Sequence, residues 1–141
     1  MSVSVPRDWE VGPGAGKIGS VASDLYRGPT LDGFQTTVNI LAQNLPQGIT
    51  DTPGFFRSNF AALQATGVPV QLVGSVQVGV SRATLVHYSA KQANSDQTYE
   101  VYQVAFVAGN RGWVMTVTAA PRAADAGLAD FKSMLQSFRT R

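Results

Sequence analysis

The stretch Thr98-Tyr99-Glu100-Val101-Tyr102-Gln103-Val104-Ala105-Phe106-Val107-Ala108 is followed by Gly109-Asn110-Arg111-Gly112 and then by Trp113-Val114-Met115-Thr116-Val117-Thr118. β-Branched and aromatic residues fill both flanks, and turn-forming residues sit between them. The spacing predicts two long strands joined by a tight connection, an antiparallel hairpin. The first flank is apolar on both parities, with Tyr99, Val101 and Val107 on one and Tyr102, Val104 and Phe106 on the other. Both of its faces are therefore covered, or one is open to a ligand.

Working outward, Ala83–Ala90 reads as the preceding strand, and Val70, Leu72, Val76, Val78 and Val80 share one parity of a strand before that. Asn94-Ser95-Asp96 reads as a turn. Thr52-Pro53 signals a helix start, running to about Thr66, with Phe56, Phe60 and Leu63 as its buried stripe, Gly67 just past its end and Pro69 blocking continuation. Phe34 to Gln43 alternates, with Phe34, Thr36, Val38, Ile40 and Ala42 on the apolar face. Val21–Arg27 reads as a strand broken by Gly28-Pro29-Thr30, residues 12–20 as a glycine-rich surface loop, and residues 2–5 as a short strand. After the hairpin, Pro121 ends the last strand. A helix from about Ala124 to Arg139 puts Leu128, Phe131, Leu135 and Phe138 on one stripe. Strands, a helix, an antiparallel meander and a closing helix make an α+β pattern: one twisted antiparallel sheet with helices packed on it, in a single domain spanning 1–141.

Composition narrows the function classes. Of 141 residues, 44% are apolar and only 14% charged, which suits a folded chain with a lightly charged surface. Eleven basic against nine acidic residues leave a formal charge of +2, too near balance to argue for nucleic acid. Arg122, Lys132, Arg139 and Arg141 gather near the C-terminus, where cations complement the dipole of the last helix. Cysteine is absent, which excludes disulfides, thiolate chemistry, zinc–thiolate sites and a lipidated cysteine within this sequence. No apolar run approaches the roughly 20 residues that span a bilayer, so no transmembrane segment is expected. No leader is read at the start either.

Catalytic constellations are not found. Gly14-Ala15-Gly16-Lys17-Ile18-Gly19 matches the dinucleotide-loop spacing, but no helical pattern follows it and no βαβ unit surrounds it. His87 is the sole histidine, which rules out a histidine-pair metal site, and it reads as a packed or hydrogen-bonded strand residue. The carboxylates are sparse and fall mostly in loops or at helix starts; Glu100 reads as an exposed strand position. We therefore expect no enzymatic activity, no catalytic residues, no metal and no cofactor. The aromatic side chains are more informative. They form the core between sheet and helices, or some of them line an apolar pocket, for which the candidates are Phe56, Phe60, Tyr102, Phe106, Trp113 and Met115.

Val5-Pro6-Arg7-Asp8-Trp9, the segment Thr37-Val38-Asn39-Ile40-Leu41, the helix Phe55 to Leu63 and the closing Phe131 to Phe138 together resemble the Mog1/PsbP-like superfamily across essentially the whole chain. Within it the chain looks most like the actinobacterial LpqN/LpqT-like lipoprotein group, and its arginine-over-lysine usage and Ala/Gly richness fit a GC-rich genome. The resemblance implies an αβα sandwich that binds a lipid-like or apolar ligand, or an envelope protein partner, in the cell envelope. The chain departs from that group in lacking a lipobox cysteine and a leader. Cytosolic secretion-system adaptors share the superfamily fold and need no leader; they imply the alternative, a protein-interaction module without a small ligand. Localisation follows accordingly: envelope or periplasm if a leader was removed, otherwise cytoplasm.

Overall fold

The computed structural model describes residues 1–18, 21–91 and 96–140, with residues 12–18 and 21–23 described as backbone only. Seven strands form one sheet: β1 (Glu10–Ile18), β2 (Val21–Leu31), β3 (Phe34–Gln43), β4 (Gln71–Val78), β5 (Ser81–Lys91), β6 (Thr98–Ala108) and β7 (Arg111–Ala119), in the order β1-β2-β3-β7-β6-β5-β4. Every neighbouring pair is antiparallel. After β3 the chain crosses through helix α1 (Thr52–Gln64) to the far edge, then meanders back until β7 pairs with β3. A 3₁₀ turn (Pro121–Ala123) leads into the second helix, α2 (Ala124–Gln136).

The sheet is α+β as expected, and β3 and β6 take the expected bounds. The expected four-residue connection after β6 is tighter. Only Gly109 and Asn110 lie between the strands, both with positive φ (59° and 62°), the signature of a type I′ hairpin turn. Asp32-Gly33 makes the equivalent turn between β2 and β3 (φ 54° and 76°). β2 is not broken at Gly28-Pro29-Thr30; it absorbs them in a register shift and continues. Residues 12–18, expected as loop, are strand: Gly12, Gly16, Lys17 and Ile18 pair with β2 on either side of a register shift, despite poor strand propensity; Gly19 and Ser20 of that expected loop lie outside the described residues. Residues 2–5 make only one bridge, Ser2 with Arg139. Of the expected turn at 94–96, Asn94 and Ser95 lie outside the described residues.

The two helices cover opposite faces. On one face, Val38, Ile40, Leu85, Val104, Met115 and Val117 pack against Phe131, Met134, Leu135 and Phe138 of the closing segment. Gly127 lets α2 lie close: a Cβ there would come within 3.3 Å of the Thr36 methyl and 3.4 Å of the Ala119 Cβ. Helix α2 stops at Gln136, short of the expected Arg139, and Phe138 tucks back under the sheet. Arg139 closes the helix end, donating from Nη1 to the carbonyls of Gln136 and Phe138. Arg122 instead pairs with Asp32, outside the helix.

On the other face, Asp51 caps α1 by accepting from the Gly54 N–H at 2.9 Å. Thr52, the expected cap, accepts from the Val107 N–H at 3.0 Å and ties the helix start to β6. Asn59 donates to Gln103, which donates to Thr116, so the buried glutamine is satisfied on both sides. The expected stripe of α1 is rotated. Phe55 is its one buried residue, with Phe56, Phe60 and Leu63 half-buried. The cause lies in the sheet: Gly112 has no side chain, and the Phe55 ring fills that space so closely that a Cβ would fall 2.6 Å from it.

Candidate functional site: an aromatic cleft beside the first helix

The sheet separates the expected lining residues. Phe106, Trp113 and Met115 lie in the core beneath the closing segment, 4%, 8% and 0% exposed. Phe138 packs edge-on to Phe106 (centroids 5.0 Å, 86°) and to Trp113 (5.1 Å, 74°). The Trp113 indole N–H donates to the Ala108 carbonyl at 2.9 Å, so its polar atom is satisfied inside the core. Tyr102 lies on that same face, half-buried, with its ring 4.6 Å from the His87 ring. Phe56 and Phe60 lie on the opposite layer, stacked on each other at 5.5 Å. Strand alternation explains the division: Tyr102, Val104 and Phe106 point to one face, and Val101, Gln103 and Ala105 to the other, under α1.

Two clefts meet at one end of the molecule, where the β4–β5 and β6–β7 turns, the start of α1 and the end of α2 come together. The first, of about 280 Å³, runs between α1 and the β4–β5 hairpin and is lined by Phe56, Arg57, Ser75, Arg82 and Thr84. Phe56 presents its ring there, with Phe60 stacked behind it. Arg82 is held in place by Ser75, donating from Nε to the hydroxyl (2.8 Å) and from Nη2 to the carbonyl (3.1 Å). The second cleft, about 220 Å³, lies across the turns and includes Val80, Arg82, Phe106, Phe138 and Arg139. Thr52 and Arg82 border both. Sequence reasoning found the aromatic residues of the first cleft but missed its arginines, because Arg57 and Arg82 are 25 residues apart and only the fold brings them together.

A polar cluster occupies the opposite end of β5 and β6, on the α2 face. His87 Nε2 lies 3.3 Å from Glu100 Oε1, and His87 Nδ1 lies 3.3 Å from Gln71 Oε1. Ser89 donates its hydroxyl proton to Glu100 at 2.5 Å. His87 is hydrogen-bonded, as expected. Glu100 is not the exposed strand residue expected but 22% exposed and partnered, because the β5–β6 register sets it beside both His87 and Ser89. Burial, then Glu100 and then Asp125, raise the Tyr102 hydroxyl above its ordinary pKa of 10. In this arrangement Ser89 donates to the carboxylate, and the imidazole nitrogens lie by Glu100 and Gln71, which is not the order of a nucleophilic triad. The shallow hollow next to it is lined by Pro69, Gln71, His87, Tyr88 and Ser89, and Glu100 does not border it.

The architecture is thus an antiparallel sheet between two helices, with an aromatic cleft under the first. No protein-family model matches this chain, and no curated protein matches it. Among solved structures, LpqN of Mycobacterium tuberculosis, described as involved in cell envelope biogenesis, has the same fold. The TM-score is 0.57 at 15% identity, over 96% of this chain and 79% of LpqN. At that identity the likeness is one of fold.

Proposed function

We propose that this chain is a non-enzymatic binding protein that holds a lipid-like, apolar ligand and works in the cell envelope. The observation that carries this reading is Phe56, half-buried at a cleft of about 280 Å³ with Phe60 stacked on it. Aromatic rings left accessible beside a concavity provide apolar area at little entropic cost to a ligand. The cleft is near the lower end of ligand-pocket sizes, so it suits one acyl chain segment or one ring of a larger ligand that extends beyond it. The envelope setting rests on the shared fold with LpqN, whose own involvement is in cell envelope biogenesis. The Ser89–Glu100–His87 order supports the non-enzymatic reading, since the hydroxyl donates to the carboxylate and both imidazole nitrogens have other partners. Among the described residues, no helix is long and apolar enough to cross a membrane.

Native mass spectrometry before and after organic extraction tests the reading. The expected result is an added mass that extraction removes and that Phe56→Ala or Phe60→Ala diminishes. Bare protein that also shows no thermal shift with envelope lipids overturns it.

A second reading, a protein-interaction module, rests on the edge strand β4. Leu72 and Val73 on it are 63% and 51% exposed, and Gln71–Val78 carries no charged residue to discourage strand addition. Crosslinking that places a partner on β4 while the Phe56–Phe60 cleft stays empty favours this reading over the first.

A further inference from the structure

We infer that the end of the molecule where the two clefts meet is a docking surface for an anionic lipid bilayer, with Val80 as the inserted tip and Arg57, Arg82 and Arg139 at the headgroups. This goes beyond the ligand-holding cleft and does not depend on it. Val80 is 91% exposed at the β4–β5 turn, the most exposed of the large apolar residues. The turn is held rigidly to the rest of the fold: the Gly79 N–H donates to the Leu135 carbonyl at 2.8 Å, so Val80 projects from a fixed base. Around it stand exposed cations. Arg82 borders both clefts, Arg57 the one beside α1 and Arg139 the one across the turns.

Among the described residues, no acidic side chain lines either cleft. The nearest one along α1, Asp51, is engaged with the Gly54 N–H. Four of the nine acids stand at the other end. Asp32 and Asp96 line a hollow with Phe34 there, and Glu100 and Asp125 both act on Tyr102. The charge is thus uneven between the two ends, although Arg122 stands beside Asp32 at the far one. An apolar tip flanked by arginines meets an anionic interface, where the valine enters the acyl boundary and the guanidinium donors not engaged with Ser75, Gln136 and Phe138 meet the phosphates. Both clefts open at that end, so a docked molecule would present them to the lipid surface.

Flotation with vesicles of phosphatidylcholine alone, and of phosphatidylcholine with phosphatidylglycerol, tests the inference. Binding is expected only to the anionic vesicles and should weaken as salt is raised. Each arginine neutralised should reduce partitioning about 5-fold, so Arg57→Gln with Arg82→Gln should lose roughly 25-fold. Val80→Ser should lose about 10-fold, with its melting temperature unchanged because the side chain touches solvent. Asp32→Asn and Asp96→Asn, at the far end, should leave binding as it is. Equal binding to neutral vesicles, no binding to either, or indifference to the arginine changes overturns the inference. Retention on heparin through the same arginines without vesicle binding also overturns it, in favour of a soluble polyanion. Phe60→Ala, which lies behind Phe56 and lines neither cleft, diminishes a held ligand in the mass-spectrometric test but leaves vesicle binding intact, so the failure of one idea is not the failure of the other.

Discussion

Phe138→Ala removes a core ring that helical spacing assigns to the last helix and that the fold seats beyond the helix end. Phe138 lies beyond the end of α2, yet it is 4% exposed and meets Phe106 and Trp113 edge-on at 5.0 and 5.1 Å. Truncating a fully enclosed phenylalanine costs about 3–5 kcal/mol, of which each edge-to-face pair contributes about 0.5–1.5 kcal/mol. Phe138 also borders the 220 Å³ cleft, so water can reach part of the space the ring vacates. That relief lowers the cavity term, and the expected loss sits at the low end, about 3 kcal/mol. Against a domain stability of about 5–15 kcal/mol the variant still folds, but with a markedly lower midpoint. Phe138→Leu keeps the burial and loses the ring contacts, and should cost about 1–2 kcal/mol. Urea unfolding followed by far-ultraviolet circular dichroism measures both; the slope should be unchanged while the midpoint moves. A loss below about 1 kcal/mol for Phe138→Ala would refute the reasoning, since it would mean that the terminal ring is not part of the core.

Three further outcomes are expected. Gly79→Ala should cost about 2 kcal/mol or more in the same assay, because the residue has φ +56° and a Cβ would stand 2.6 Å from the Phe138 carbonyl oxygen; a neutral effect would mean the turn does not abut the helix end. Gly112→Ala should cost about 1–3 kcal/mol by displacing the Phe55 ring, and combining it with Phe55→Leu should recover part of that loss, a non-additivity that a double-mutant cycle reads directly. Alkaline titration by near-ultraviolet absorbance should show Tyr26, Tyr88 and Tyr102 ionising above 10, burial being the first cause for each. Since the folded state holds these protons more tightly than the unfolded chain does, stability should be flat below pH 10 and fall as pH rises from there through the native values. Native tyrosines that all titrate at 10 would contradict the burial described.

The legible parts of the fold were those whose pattern depends on local periodicity. Phe34–Gln43 and Thr98–Ala108 are strands with the bounds that their alternation and flanking turn residues imply. Phe131 and Leu135 bury the stripe that helical spacing assigns them. Readings failed where a distant partner overrode local preference. Residues 12–18 look like loop but are held as strand by β2. The shared parity of Leu72 and Val76 is broken by a register shift beside Gly74, which leaves Leu72 exposed and Val76 buried. The turn after β2 lies at Asp32-Gly33, a hairpin dipeptide, and not at Gly28-Pro29-Thr30, which the strand absorbs. In the candidate site, Phe56 and Phe60 could be picked out by aromatic type and helical spacing, whereas their separation from Phe106, Trp113 and Met115 could not, because the faces of a sheet are assigned by register.

By itself, then, the amino-acid sequence determined the α+β class, the central strands, the existence of both helices and the lack of any histidine-pair or thiolate chemistry. These follow from periodicity and residue type, which act over a few neighbours. Only the tertiary structure decided that Phe55 turns inward against Gly112, that Glu100 meets His87 and Ser89, and that Arg82 and Arg139 share a cleft with Val80 while Arg57 shares the adjoining one with Arg82. Such juxtapositions depend on strand register and on which loops share an end of the sheet, and these are settled by the summed burial of the whole core rather than by any local stretch of chain.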